Sequence, residues 1–251
     1  MTPEVVDVRI LVTGGTGRLG SALVARLLEA GEDVRVLSRR AAGSPAVFRG
    51  DLRTGRGVDT AVAGTDVIVH CATDFRRETA LARTLVEAAR WAGAPHLVYV
   101  SIVGVDRVPL GYYQAKHETE QLLATSGLPC TIQRATQFHG LVRALLAPAL
   151  RLPVVPVPRM SFQPVDVRDV ARRLADLALG EPAGRAPDFG GPEILTAAEL
   201  AEAVGDVSGR RRRIVPVAVP GETFRAYAAG GHLAPRHRDG VITFREYLAE
   251  H

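Results

Sequence analysis

Thr13-Gly14-Gly15-Thr16-Gly17-Arg18-Leu19-Gly20 stands between an apolar run, Val8–Thr13, and an amphipathic stretch, Arg18–Ala30. Glycines at 14, 17 and 20 give a G-x-x-G-x-x-G spacing. Gly14 suits the tight turn from strand to helix, and Gly17 suits a point where backbone must approach a pyrophosphate. Gly20 lets the helix pack closely on the strand, with the helix N-terminus facing the phosphates. A glycine turn alone is a weak signal. A strand before it, a helix after it and a second strand at Asp33–Leu37 make it specific. The stretch reads as a dinucleotide-binding turn, with Gly14, Thr16, Gly17, Arg18 and Leu19 as candidate cofactor contacts.

The alternation continues outward. Val47–Arg49 and Asp66–His70 read as strands, Glu78–Ala92 as a helix and Leu97–Ser101 as a strand. A helix over Tyr112–Ser126 and a strand at Cys130–Gln133 follow. Short apolar strands without in-out alternation, separated by helices, are what a parallel sheet covered on both faces produces. The expected fold is α/β, a doubly wound parallel sheet of the Rossmann type. After about residue 150 the texture changes. Prolines 153, 156, 158 and 164 break the chain before a helix at Val167–Leu179. Thr196 and Glu199 form a capping-box pattern, Ile214–Val219 reads as a short strand and Thr243–Ala249 as a last helix. The expectation is a single domain, 1–251, with residues from about 150 onward forming a small substrate cap.

Composition narrows the class. Of the 251 residues, 47 % are hydrophobic and 23 % charged, so the chain buries a sizeable core and is not disordered. No run approaches the ~18 apolar residues of a membrane span, and the N-terminus carries no basic, leader-like region. A soluble cytoplasmic protein is expected. Cys71 and Cys130 belong to no CxxC or Cys/His ladder, and the histidines lack ligand spacing, so neither a disulfide nor a metal is expected. Arg210–Arg213 is the one dense basic run. It has no interleaved aromatics, and it reads as a solvated face rather than a nucleic-acid site.

The end of the second strand selects the dinucleotide. An NAD site wants a carboxylate there for the ribose 2′-hydroxyl. Asp33 begins that strand, and its end is Leu37-Ser38-Arg39-Arg40. A hydroxyl and two guanidinium groups suit a 2′-phosphate, and Arg18 can assist them. NADP(H) is expected ahead of NAD(H).

Lys116 is the only lysine among 31 basic residues. In so arginine-rich a chain it marks a place where a guanidinium does not serve. Tyr112-Tyr113-Gln114-Ala115-Lys116 puts Tyr112 and Lys116 at i and i+4 on one helix face. With the glycine turn, this pair resembles the short-chain dehydrogenase/reductase superfamily, in its atypical, NmrA-like NAD(P)-binding branch. Gly50-Asp51-Leu52, His70-Cys71-Ala72-Thr73, Ser101-Ile102-Val103-Gly104, Arg134–His139 and Gln163–Val167 carry the resemblance across most of the chain. It implies Tyr112, Lys116 and Ser101 as the catalytic set. It also implies Asp51, Leu52, Cys71, Ala72, Thr73 and Lys116 beside Ser38, Arg39 and Arg40 at the cofactor, and Gln137, Phe138 and His139 at the substrate.

The chemistry of that set stands without the name. Hydride transfer to a carbonyl leaves an alkoxide that needs a proton donor. A tyrosine titrates near ~10 unless a neighbouring ammonium favours its phenolate. A serine hydroxyl orients the carbonyl. The expected function is an NADP(H)-dependent oxidoreductase acting on a small carbonyl or alcohol. The alternatives are a dinucleotide-binding redox-sensing regulator and a redox-neutral epimerase or dehydratase. The expected partner is a small molecule, with no nucleic acid and no membrane; the oligomeric state is left open.

Overall fold

The computed structural model describes residues 8–40 and 46–251. Residues 1–7, on which the reading of a leaderless N-terminus partly rests, lie outside the described residues. In chain order the first elements are β1 (Arg9–Thr13), α1 (Arg18–Glu29), β2 (Asp33–Ser38), β3 (Val47–Arg49), α2 (Val58–Val62) and β4 (Val67–His70). Then come α3 (Glu78–Trp91), β5 (His96–Ile102), α4 (Gly111–Ala124), β6 (Cys130–Ala135) and α5 (His139–Leu146). The chain continues with β7 (Val154–Pro158), β8 (Ser161–Phe162), α6 (Val167–Ala178), β9 (Gly184–Arg185) and β10 (Leu195–Thr196). It ends with α7 (Ala197–Val207), β11 (Arg213–Val217), α8 (Glu222–Ala228) and α9 (Phe244–Ala249).

These elements sort into two compact units. The first is the chain up to Ser101 with Ala115–Gln133 and Ala171–Ala186. Its sheet runs β3-β2-β1-β4-β5-β6-β9, a parallel, doubly wound order of the Rossmann type. The expected fold class is therefore the observed one. Strands such as Ile10-Leu11-Val12 and Val67-Ile68-Val69 are buried on both faces, as a sheet covered by helices requires. Leu85 and Val86 of α3 pack with Leu11, Ile68 and Tyr99 of the sheet in one apolar core. Register decides what the sheet presents. Thr13 lies opposite Leu37 of β2 and His70 of β4, so the carboxyl ends of β1, β2 and β4 finish level.

The second unit comprises Ile102–Gln114, Arg134–Val170 and Pro187–His251. It has its own core, in which Val142, Leu146, Leu150 and Val155 pack with Leu200, Val204, Phe244 and Leu248. Its sheets have two strands each, antiparallel β8–β10 and parallel β7–β11. Prolines 156, 158 and 216 sit in the latter pair, where every strand is an edge and a missing N–H is tolerated. Thr196 and Thr243 cap α7 and α9 with complete capping boxes to Glu199 and Glu246. Sequence periodicity does not reveal α2, α5 or α8. The first has five residues and the last seven, and α5 lies inside an apolar run where no polar face sets the period.

Candidate active site

The turn after β1 is built as its spacing requires. Gly14 adopts φ +69°, and a Cβ there would lie 2.6 Å from the Ala72 nitrogen, so the turn presses on the segment after β4. The Gly17 N–H donates to the Gly14 carbonyl at 2.9 Å and closes the turn. A Cβ on Gly20 would collide with that same carbonyl. The closeness demanded of Gly20 is thus to the turn itself rather than to the strand. Helix α1 starts with no side-chain cap and no acidic residue in its first turn, so its backbone donors and dipole remain available to an anion. A Cβ on Gly17 would meet nothing but the Gly14 oxygen, at 3.2 Å. The open approach and the uncapped helix suit a dinucleotide pyrophosphate.

At the end of β2, the buried Ser38 hydroxyl accepts from the Arg40 N–H at 3.2 Å, while Arg39 and Arg40 are exposed. Asp33 lies at the opposite end of the strand, paired with Arg9 at 2.5 Å. After β3, Asp51 accepts from the Arg53 N–H at 2.9 Å, and Leu52 is buried. Arg53 in turn pairs with Asp74 at 2.5 Å.

Beyond β4 lies a buried polar cluster. His70 stacks on Tyr99, and its Nδ1 lies 2.6 Å from the Thr13 hydroxyl. Burial lowers its pKa to about 4, so the ring is neutral at pH 7. Burial likewise pushes the Cys71 thiol up to about 12 and raises that of Cys130; both cysteines are free. Lys116 is 5 % exposed. Its ammonium lies 2.7 Å from Glu78 Oε1, donates to the Val100 carbonyl at 2.8 Å and sits 4.6 Å from the centre of the Tyr99 ring. One carboxylate, one carbonyl and one aromatic face make a pocket for a compact cation.

Glu78, 1 % exposed, is the functional candidate that motif reading overlooks. Its Oε1 also accepts from the Tyr99 hydroxyl at 3.0 Å. Its Oε2 accepts from the Thr73 hydroxyl at 2.8 Å and the Asp74 N–H at 3.1 Å. Burial pushes the Glu78 carboxyl up, but Lys116, His70 and the Thr73 hydroxyl outweigh it and hold the group below the usual range. A signal was present in the sequence. Glu78 falls in the i, i+3, i+4, i+7 stripe with Leu81, Ala82 and Leu85 that α3 buries. Ser101, immediately after Val100, is 2 % exposed, and its hydroxyl has no hydrogen-bond partner among the described residues.

Helix α4 begins in the second unit and continues in the first, carrying Tyr112 one turn before Lys116. Tyr112 is half-buried. Tyr113 is buried edge-on against Tyr227 with their ring centres 6.2 Å apart, a packing role. In the second unit, the Gln137 side chain donates to the His232 carbonyl at 2.9 Å and accepts from the Gln163 N–H at 3.2 Å. Phe138 is half-buried beside them and pairs with Val165 through the backbone. His139, the first residue of α5, is buried in the same unit. Its ring lies against Phe244 and Tyr247 at 5.5 and 5.2 Å, and its Nε2–H donates to the Ile242 carbonyl at 3.0 Å. Burial lowers its pKa. Among the described residues no cluster of three or more His, Cys, Asp or Glu side chains is placed to hold a metal. No helix among them is long and apolar enough to cross a membrane.

The parallel sheet, the glycine turn and the level strand ends define a dinucleotide-binding α/β protein. A family model described as NAD(P)H-binding matches residues 14–140. The (4-alkanoyl-5-oxo-2,5-dihydrofuran-3-yl)methyl phosphate reductase of Streptomyces griseus is 32 % identical over 231 residues, spanning 84 % of this chain and 77 % of its own. The NAD(P)H azoreductase of Xenophilus azovorans is 30 % identical over 224 residues, spanning 83 % of this chain and 77 % of its own. Among solved structures, an NADPH-dependent quinone oxidoreductase of Escherichia coli superposes with a TM-score of 0.82 at 20 % identity. That match spans 96 % of this chain and 99 % of the other. The chain belongs to the NAD(P)H-binding oxidoreductases of the atypical short-chain dehydrogenase/reductase type.

Proposed function

We propose that this protein is an NADP(H)-dependent oxidoreductase that reduces a small, apolar or aromatic carbonyl compound, or oxidises the corresponding alcohol. The observation that carries the reading is the chain's only lysine, a buried ammonium one turn after Tyr112 on α4. The names of its relatives, a (4-alkanoyl-5-oxo-2,5-dihydrofuran-3-yl)methyl phosphate reductase and an azoreductase, point to reduction. The choice of NADP(H) rests on the end of β2, where Arg39 and Arg40 are exposed and Asp33 is held at the far end by Arg9. The NADPH-dependent quinone oxidoreductase with the same fold agrees with that choice.

When bound, the reduced nicotinamide supplies the hydride. The protein's part is to hold the carbonyl and deliver a proton. The Ser101 hydroxyl, buried and unpartnered, donates to the carbonyl oxygen. Tyr112 gives its phenolic proton to the oxygen as charge develops there. Lys116 holds a fixed positive charge beside the cofactor ribose. The backbone of Gly14, Thr16, Gly17, Arg18 and Leu19 receives the pyrophosphate, and Ser38, Arg39 and Arg40 receive the 2′-phosphate. Asp51, Leu52, Cys71, Ala72 and Thr73 flank the adenosine. Gln137, Phe138 and His139 are assigned to the substrate side.

Two measurements test this. NADPH should bind more tightly than NADH by calorimetry, and Arg39→Ala should remove most of the difference, roughly 1.5–3 kcal/mol for one charge-assisted contact. Equal affinities in the wild type would sink the cofactor assignment. On a panel of carbonyls, quinones and azo dyes followed by NADPH absorbance, Tyr112→Phe should lower turnover ~10²–10⁴-fold and leave NADPH binding intact. Tyr113→Phe should be mild. Wild-type turnover in Tyr112→Phe would remove that residue from the mechanism. Tight NADPH binding with no turnover across the panel would favour a redox-sensing regulator.

A further inference from the structure

We propose that Glu78 is a positioning residue that ties the segment after β4 to Lys116, so that the cofactor-side loop and the catalytic ammonium are held by the two oxygens of one carboxylate. The proposal rests on the reading above, in which Thr73 and Lys116 meet the dinucleotide. Its geometry is independent of that reading.

The two oxygens are divided between two tasks. Oε1 takes the Lys116 ammonium at 2.7 Å and the Tyr99 hydroxyl at 3.0 Å. Oε2 takes the Thr73 hydroxyl at 2.8 Å and the Asp74 N–H at 3.1 Å. Four donors saturate the carboxylate, which is what a buried charge requires. The second pair of donors comes from the segment after β4, so the carboxylate that neutralises Lys116 also fastens that segment. A carboxylate serving only to cap α3 would not reach into a lysine pocket. The arrangement means that a shift in Thr73 moves Glu78, and with it the ammonium.

The same arrangement fixes the lysine's charge. Titratable groups facing Lys116 include Glu78 from α3, His70 and Cys71 at the end of β4, and Tyr99 from β5. His70 is neutral at pH 7, and burial holds the Cys71 thiol and the Tyr99 phenol above their ordinary values. Of these four, Glu78 carries the negative charge. Without it, a buried ammonium loses the partner that offsets its desolvation.

Because Lys116 is the only lysine, protein labelled with ¹⁵N and ¹³C at lysine gives one side-chain signal. In the full-length wild type that signal should remain ammonium from pH 6 to 9.5, and it should move on saturation with NADPH. In Glu78→Gln the lysine pKa should fall by about 1–3 units, and NADPH affinity measured by fluorescence should decline as pH rises through the new value. Glu78→Asp keeps the charge and should restore a flat pH profile. Thr73→Val removes one of the two donors on Oε2 and leaves the Asp74 N–H in place. It should leave the lysine pKa unchanged while reducing the NADPH-induced shift by about half. If Glu78→Gln does not fold, the neutral pair Glu78→Gln with Lys116→Met removes the unpaired charge, and it should fold and bind NADPH at least tenfold more weakly. A wild-type lysine pKa in Glu78→Gln or an undiminished shift in Thr73→Val overturns the proposal, whereas full NADPH affinity in the neutral pair overturns the assignment of Lys116 to the cofactor. A wild-type signal that ignores saturating NADPH would also overturn that assignment.

Discussion

The two units solve the same problem, satisfying buried backbone, by different means. In the first, strands of up to seven residues pair with one another, and the helices satisfy themselves. Side chains there are left free to pack as Leu11, Ile68, Leu85 and Leu97 do. In the second, strands as short as two residues leave much of the backbone in loops, and buried polar side chains complete it. Gln163 donates to the Gly191 and His237 carbonyls and accepts from the Ala234 N–H. Asp169 accepts from the Val241 and Ile242 N–H groups, and the rings of His139 and His232 reach the Ile242 and Ser161 carbonyls. Buried backbone must be paired by something. Where regular structure is short, that duty falls to glutamine, aspartate and histidine. In the second unit Gln163 and Asp169 close loops, whereas in the first Glu78, Tyr99 and Thr73 build the cluster around Lys116.

The largest expected effect breaks this contrast directly. Gln163→Leu keeps most of the volume but strands one N–H and two carbonyls, each worth roughly 1–3 kcal/mol. The variant should lose roughly 3 kcal/mol or more in urea unfolding, and hydrogen exchange should accelerate first at the amides of Ala234 and its neighbours. A loss below about 1 kcal/mol, with exchange unchanged there, would mean the loops hold themselves without the glutamine.

A smaller effect sharpens the contrast, because each unit buries one strongly shifted histidine. His70 in the first and His232 in the second are both brought to about 4, chiefly by burial. Their folded pKa values lie below the unfolded value of about 6.5. The unfolded chain thus binds more protons between those limits, and stability is full above pH 6.5 and lost as pH falls toward 4. Each ring contributes at most roughly 3 kcal/mol over that window. Unfolding midpoints at pH 7, 5.5 and 4.5 should fall accordingly, and His70→Gln and His232→Gln should each flatten the slope. A midpoint that does not move from pH 7 to 4.5 would refute the buried neutral state of both rings.

Much of the first unit was legible in one dimension. The strands at Val47–Arg49 and Cys130–Gln133 and the helices after the glycine turn and after Arg77 can be read from apolar runs and breaks, to within a residue or two at their ends. The capping box at Thr196 and Glu199 was equally legible, because both partners are four positions apart or fewer. Helix α5 was not, since Leu141, Val142, Leu145 and Leu146 present no polar face to set a period. Of the site, the glycine turn, the arginines after β2 and the single lysine were visible. Glu78 was visible only as an acidic residue in an apolar stripe. Its partners, Thr73, Tyr99 and Lys116, come from three other segments of the chain.

By itself the sequence determined the layered α/β architecture, the dinucleotide turn and the family, because each depends on contacts between residues close along the chain. Local spacing sets a helix, a tight turn or a buried strand whatever lies further away. Only the tertiary structure decided that the lone lysine is clamped by a carboxylate 38 positions earlier, that His139 packs among aromatics rather than standing open, and that Gln163 closes loops. Those outcomes depend on which distant groups meet in a medium of low dielectric, where every buried charge and donor must find a partner.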